Sequence, residues 1–391
     1  MKICFWIGNA FYRKAGTNKM VCTIANELCK IHEVTILITN KQYENSVFDY
    51  DQSINIKSVS ETNVVYNRKS NIIRYINNKT GFFNNGKRIK LLKNSLYSKT
   101  KLKSIAPHFN KEKYDIIIAT GSEILWLALM RDFISEKTKL IGWQHNSYNS
   151  YVTRKNVLFW KKEELLKKYI PNLDKLIVLN PYDKIDYFEK LQLHTEFIEN
   201  PLTITSDVKT NYLNKNFIFV GRLNHQKGID FLINSFYEFS KKNVEWNLLI
   251  VGEGNSTFTE KLINLIKSKK LCKRIKLIGF TTEVINYYLK SSIYLMTSRY
   301  EGWGLVVTEA MSVGLPIITF DITPMEYIID HHKNGIVVGK YNTKKYAAAM
   351  LKLANDENMR REMSKSAIIK SNQFSLDNIL QKWNKLFEDL F

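Results

Sequence analysis

The chain has 391 residues, 45% of them hydrophobic and 24% charged, and at about 100–200 residues per domain it should fold as two or three domains. Six Pro and 16 Gly exclude collagen-like and low-complexity chains, while four Cys without a CxxC pair exclude a disulfide framework or zinc ribbon and suit a reducing compartment. The formal charge is +21, and residues 1–200 carry 32 Lys and Arg against 19 Asp and Glu.

The apolar run in MKICFWIGNAF is too brief for a secretory leader, and the longest apolar stretch, Ile124–Met130, is far below the roughly 20 residues of a spanning helix. A cytoplasmic location is therefore expected. Runs suited to buried parallel strands follow at Ile3–Ile7, Val34–Ile38, Asp115–Ala119, Lys139–Trp143 and Lys175–Leu179. Between the first two lies a helix over Asn18–Lys30, with Met20, Ile24 and Leu28 on one face. The second half repeats the alternation. Its strands are predicted at Phe217–Val220, Asn247–Val251, Ile275–Ile278, Ile293–Met296 and Pro316–Thr319. Its helices are predicted over Ile229–Lys242, Thr257–Lys270, Glu283–Lys290, Leu305–Val313 and Thr343–Asn355, with more helix to the C-terminus.

Strand and helix in alternation mark an α/β chain with parallel, doubly wound sheets. The polar stretch Glu199–Asn216 holds Pro201 and separates the two runs. The expected division is thus a domain over 1–199, a linker over 200–216 and a domain over 217–391, with the last helix free to pack back on the first. Ligands of such sheets sit beyond the carboxyl ends of the strands, so two facing sheets are expected to enclose a cleft.

Two loops stand where such a ligand would bind. The strand Phe217–Val220 runs into GRLNHQKG, Gly221 to Gly228, which presents Arg222 and Lys227 just ahead of a helix N-terminus. A guanidinium, an ammonium and free N–H groups together suit a diphosphate. The strand Ile293–Met296 runs into SRYEGWGLVVTEAMSVGLP, Ser298 to Pro316. There Gly302 and Gly304 flank Trp303 and permit close backbone approach, while Glu301 and Glu309 can each accept from a diol of a sugar or ribose.

These two loops resemble the GxLxxxKG and EGxGLxxxEAMxxGxP segments of the retaining family-4 glycosyltransferases, which have the GT-B fold of two Rossmann-like domains. The residues that carry the resemblance are Gly221, Arg222, Leu223, Lys227 and Gly228, then Glu301, Gly302, Gly304, Leu305, Glu309, Ala310, Met311, Gly314 and Pro316. It is strong from Phe217 to about Val338 and weak in the first half. It implies that Arg222 and Lys227 bind the donor diphosphate, that Glu309 holds the ribose hydroxyls and Glu301 those of the transferred sugar. It also implies that amides around Gly302, Trp303, Gly304 and Leu305 line the donor site, and that the backbone at Gly279 and Phe280 reads the base.

In the first half, GWQHNSY puts His145 just past a strand, and the resemblance gives it a place near the donor sugar. The loop Asn9–Thr17 falls where the family has a Gly-Gly pair; here Ala15 replaces the first Gly and Gly16 remains as the phosphate-binding position. Asp49-Tyr50-Asp51 is formally a DxD metal motif, but no strand feeds it. Asp330, His331 and His332 lie in a turn, so no metal site is assigned. GEGNS after Val251 is an incomplete dinucleotide motif that could still line the donor site.

The resemblance implies a metal-independent, retaining hexosyl or N-acetylhexosaminyl transfer. The donor is a nucleotide sugar, UDP-linked by expectation, and no further cofactor is needed. The acceptor is a saccharide, expected to be lipid-linked and to belong to cell-surface polysaccharide biosynthesis. Two basic bunches, Lys87–Lys103 and Arg154–Lys168, suit peripheral docking on an anionic membrane. Phe82, Phe83, Leu91, Leu92 and Leu96, or Leu158, Phe159 and Trp160, would then dip into the interface. Two other readings remain open: a nucleotide-sugar epimerase of the same fold, and a basic nucleic-acid or membrane-binding module without catalysis.

Overall fold

The computed structural model describes residues 1–8, 11, 15–39, 48–59 and 67–391. Two compact units form, Met1–Glu199 with Leu380–Phe391, and Asn200–Ile379.

The first unit is built on a seven-stranded parallel sheet of order β3-β2-β1-β4-β5-β6-β7. Its strands are β1 (Lys2–Ile7), β2 (Glu33–Thr39), β3 (Asn55–Val59), β4 (Ile116–Thr120), β5 (Lys139–Trp143), β6 (Lys175–Val178) and β7 (Glu196–Phe197). Between them run α1 (Gly16–Leu28), α2 (Arg68–Thr80), α3 (Ile89–Leu96), α4 (Lys99–Glu112), α5 (Glu123–Leu129), α6 (Glu163–Tyr169) and α7 (Pro181–Leu191). All five residues of β4 are buried, as a central strand covered on both faces requires. β3 and β7 were not anticipated. They are edge strands, and β3 reads NIKSV with only Val59 buried, so neither carries a continuous apolar run.

The second unit has six parallel strands in the order β10-β9-β8-β11-β12-β13. They are β8 (Asn216–Val220), β9 (Asn247–Val251), β10 (Ile275–Gly279), β11 (Ile293–Met296), β12 (Ile317–Phe320) and β13 (Gly335–Val338). Its helices are α8 (Ile229–Ser240), α9 (Ser256–Ser268), α10 (Val284–Leu289), α11 (Leu305–Ser312), α12 (Met325–Ile328), α13 (Thr343–Asn355) and α14 (Glu357–Asn372). In sequence order this is the 3-2-1-4-5-6 arrangement of a Rossmann sheet, whose winding reverses between β8 and β11. Those two strands are neighbours, with Ile293 beside Phe217 and Tyr294 beside Ile218.

Residues 200–216 are tied into this second unit. Leu202 N donates to Phe374 O at 2.8 Å, Thr210 N to Val313 O at 2.8 Å, and Arg360 Nε to Tyr212 O at 2.9 Å. The last helix, α15 (Leu376–Glu388), begins in the second unit and continues into the first. Within the first unit the buried Trp383 meets Trp143 edge-on at 4.9 Å, and Lys382 reaches Glu199 at 2.6 Å. Among the described residues no helix is long and apolar enough to cross a membrane, and all four Cys are free thiols.

Candidate functional site

Because β8 and β11 lie side by side at the strand-order reversal, the loops that leave their carboxyl ends start together. The first leaves through Gly221, whose φ of 154° favours glycine, and closes with a short 3-10 turn, His225–Lys227. Asn224 caps that turn by accepting from Lys227 N at 3.1 Å. Gly228 follows in the left-handed region, φ 63°, and starts α8. No side chain fits at this glycine: a Cβ would stand 2.0 Å from the Thr297 carbonyl oxygen.

The second loop is braced against the first. Thr297 Oγ1 donates to Gly228 O at 2.9 Å, and Arg299 N to Gln226 O at 2.8 Å. Arg299 also grips Asp230 with both guanidinium nitrogens, at 3.0 and 2.7 Å, and lies 4.4 Å from the Phe231 ring centroid. A bidentate pair of this kind fixes direction as well as distance. Arg299 and Asp230 had no sequence signal, because each is ordinary until the loops are folded together.

A third layer comes from the GEGNS segment, which braces the first loop through its backbone. Gly221 N donates to Val251 O at 3.0 Å, Leu223 N to Glu253 O at 2.7 Å, and Gly252 N to Gly279 O at 2.8 Å. A Cβ on Gly252 would fall 1.9 Å from Gly221 O, and one on Gly254 2.2 Å from Leu223 O. These glycines let three strand-end loops touch through their backbones. Gly279, at φ 85°, has open space where a Cβ would stand, and Phe280 is half exposed beside it. Since Gly279 O already accepts from Gly252, its carbonyl serves the fold first.

On this frame the chemical groups are arranged as follows. Arg222 is exposed, and its guanidinium has no hydrogen bond or ion pair with the described residues. Lys227 Nζ meets Glu301 Oε1 at 2.7 Å, with both side chains largely buried. Gly302, Trp303 and Gly304 are buried, and Gly304, at φ 95°, is the N-cap of α11 with no capping side chain. Val307 N donates to Gly304 O at 2.8 Å, so among the described residues it is the Leu305 and Val306 N–H groups that are open to a ligand or water. The Trp303 side chain turns inward, edge-on to Phe374 at 5.1 Å and near Tyr327 at 6.2 Å, so this residue can contribute only backbone to a ligand.

Glu309, one turn inside α11 and buried, accepts from Thr203 Oγ1 at 2.5 Å and Tyr288 Oη at 3.4 Å. A carboxylate has about four acceptor positions, so these two hydroxyls by themselves do not fill it. Burial and the Glu309 charge keep the Tyr288 phenol protonated, and hence a donor. Thr203 and Tyr288 were invisible in the sequence, lying far from Glu309 along the chain.

In the first unit, Gly16 begins α1 behind Ala15, which offers no side-chain cap. The neighbouring residues 9–10 and 12–14 lie outside the described residues. His145 follows β5, is buried, packs 4.2 Å from the Trp143 ring, and has no hydrogen bond at either ring nitrogen among the described residues. Burial alone pushes its pKa down to about 3. The chain on either side of His145 is fixed by hydrogen bonds of its neighbours. Tyr187 donates to Gln144 Oε1, Gln144 Nε2 donates to Asn146 O at 2.8 Å, and Tyr148 N donates to Asp183 Oδ1 at 2.8 Å. Burial raises the Asp183 carboxyl to about 7, against the hydrogen bonds from Tyr148 and Asn180 that favour its charge.

Among the described residues no group of three or more His, Cys, Asp or Glu could hold a metal ion. Asp51 is spent on a turn, accepting from Ser53 N and Oγ at 2.8 and 2.7 Å. His331 Nδ1 accepts from Val337 N at 2.9 Å, and Asp330 pairs with Lys370 at 3.2 Å.

Comparisons with known proteins bear on the family and the fold. Residues 206–370 match the family described as Glycosyl transferases group 1. The chain is 28% identical over 390 residues to an uncharacterized glycosyltransferase of Haemophilus influenzae, covering 98% of each. It is 28% identical over 285 residues, 69% of this chain and 76% of the other, to the amylovoran biosynthesis glycosyltransferase AmsD of Erwinia amylovora. Over 396 residues, 100% of this chain and 99% of the other, it is 23% identical to an α-1,4-N-acetyl-D-galactosaminyltransferase of Campylobacter jejuni named for an undecaprenol-diphosphate-linked saccharide. In three dimensions it is similar to sucrose-phosphate synthase of Thermosynechococcus elongatus, with TM-score 0.77 and 15% identity over 100% and 99% of the chains. It is likewise similar to Anabaena HepE in complex with UDP, with TM-score 0.72 and 15% identity over the whole of both. The fold is GT-B.

Proposed function

We propose that this chain, a glycosyltransferase of the GT-B fold with a group 1 domain over residues 206–370, transfers a hexose or N-acetylhexosamine from a UDP-linked donor to a lipid-linked saccharide with retention of anomeric configuration. The observation that carries this reading is the pair of loops at the β8–β11 reversal. Arg222, without a partner among the described residues, the Lys227–Glu301 pair and the uncapped start of α11 are braced there into one surface, with Glu309 one turn behind. As the sugar–phosphate bond breaks, negative charge grows on the diphosphate. Arg222, Lys227 and the α11 amides offset it with groups fixed in advance, so metal is not required. Glu309 receives the ribose diol, Glu301 receives hydroxyls of the sugar, and the neutral imidazole of His145 is assigned to the donor sugar by family resemblance. No side chain of the chain is assigned as a nucleophile; the leaving diphosphate takes the acceptor proton on the face it departs from.

UDP-bearing structures and undecaprenol-linked acceptors among the similar proteins support the choice of donor and acceptor classes. The test is calorimetric binding of UDP, with GDP as control, in EDTA, followed by turnover of UDP-sugars and NMR of the product anomer. Arg222→Ala should lower kcat by about 10²–10³, the loss seen when one oxyanion donor is removed. Absence of binding by any nucleoside diphosphate would overturn the reading, and an inverted anomer would overturn retention.

A further inference from the structure

The two basic bunches are far apart in sequence, yet they form one surface. Asn77 Nδ2 donates to Lys161 O at 2.8 Å, and Asn84 Nδ2 to Glu163 Oε2 at 2.7 Å. Glu164 N in turn donates to Asn84 Oδ1 at 3.0 Å. Segment 154–164 is thereby stitched to α2 and to the loop before α3. From Asn67 to Lys103 the chain has eleven Lys and Arg and no Asp or Glu. The two acids on the stitched segment are engaged, Glu163 with Asn84 and Glu164 with Lys167 at 3.7 Å. Partial burial lowers the pKa of Lys93, and repulsion from Lys90, Lys99 and Lys168 adds to it. That repulsion crosses from one bunch to the other.

Apolar side chains stand within this positive field. On α2, Arg68, Ile72, Tyr75 and Lys79 share one helix face. Ile72 is 50% exposed and Tyr75 65%, and Phe82 and Leu91 continue the surface at 49% and 47%. Arg88 lies 3.9 Å from the Phe82 ring centroid. The composition of this face corrects the sequence reading. Leu92 and Phe159 are buried, and Phe83, Leu96 and Leu158 pack on the core, so they are not available for insertion. Ile72 and Tyr75, which the sequence reading passed over, are.

We propose that the face formed by α2, α3 and their connecting loop docks on an anionic lipid bilayer, with Ile72, Tyr75, Phe82 and Leu91 entering the headgroup boundary. Each Lys or Arg close to such a surface adds a favourable electrostatic contribution that salt screens. Ile72 and Leu91 favour lipid over nucleic acid. An aliphatic side chain gains by leaving water for the acyl boundary, whereas a phosphate backbone offers it nothing. The inference goes beyond sugar transfer and does not depend on which donor is used.

The test is co-sedimentation of the full chain with vesicles of phosphatidylcholine alone and of phosphatidylcholine with phosphatidylglycerol. Circular dichroism and thermal melting of each variant check that the first unit, which carries the substitutions, is folded, and UDP calorimetry checks the second. Partition should require phosphatidylglycerol and fall with salt. It should drop about tenfold or more in Lys79→Glu/Lys87→Glu/Lys90→Glu, as loss of three surface cations implies, and again in Ile72→Ser/Leu91→Ser, with UDP binding unchanged. Equal partition on both vesicles, no partition, or partition unaffected by both variants would overturn the proposal. So would tighter binding to single-stranded DNA than to anionic vesicles.

Discussion

Lys227 Nζ and Glu301 Oε1 meet at 2.7 Å across the two loops that leave β8 and β11, with side chains 13% and 7% exposed. The pair joins the residue assigned to the leaving phosphate with the residue assigned to the sugar. Breaking a buried pair by removing one partner costs up to about 3–5 kcal/mol, because the other charge is stranded. Lys227→Met should therefore lower the melting temperature as well as kcat. Lys227→Met/Glu301→Gln should recover much of the stability and none of the activity. Full thermal stability in the single variant would show that the pair is not buried in solution.

Glu309 is assigned to the ribose and is held by Thr203 and Tyr288. A hydrogen bond to a charged group contributes about 1.5–3 kcal/mol, so Glu309→Ala should weaken UDP binding by about tenfold or more. Thr203→Val should weaken it less, since it removes one support and leaves the carboxylate. Calorimetry that ranks the two in reverse order would remove Glu309 from the donor site.

Gly252 and Gly279 both hold a positive φ, 137° and 85°, and differ in how crowded an added Cβ would be. Gly252→Ala would drive a Cβ to 1.9 Å from Gly221 O, whereas Gly279→Ala meets open space and only the cost of φ 85°. The second should cost about 1–2 kcal/mol. The first should cost more and also displace the loop that carries Arg222. Thermal melts and UDP affinity of the two variants check the difference; equal effects would argue against close contact between the loops.

His145 and Asp183 titrate in opposite directions. The folded His145 has a pKa of about 3 against an ordinary 6.5, so between these values the unfolded chain binds the extra proton and stability rises with pH. Folded Asp183, at about 7 against 3.8, keeps a proton that the unfolded chain releases, so its contribution is lost as pH rises through about 7. Melting temperatures of His145→Gln should fall less than wild type on acidification below about pH 6. Those of Asp183→Asn should fall less on going from about pH 5 to about pH 8. A wild-type slope in either variant would contradict the corresponding burial.

Much of this was legible in the sequence. Central strands covered on both faces must be apolar throughout, so β4, β5, β8, β9 and β11 announce themselves, and a winding sheet makes their carboxyl ends the place to look. Arg222, Lys227, Glu301 and Glu309 sit at fixed spacing around glycines, a local pattern that the chain itself displays. β3 and β7 escaped because neither has a continuous apolar run: β3 reads NIKSV and β7 is two residues long. What only the tertiary structure decided is which residues meet across long separations. The grip of Arg299 on Asp230, the hydroxyls of Thr203 and Tyr288 on Glu309, and the joining of two basic bunches into one face are examples. Side-chain pairing of this kind depends on where whole strands and helices pack. Burial likewise sorted Leu91 from Leu92 and Phe82 from Phe159, residues of like chemistry that a linear reading cannot tell apart.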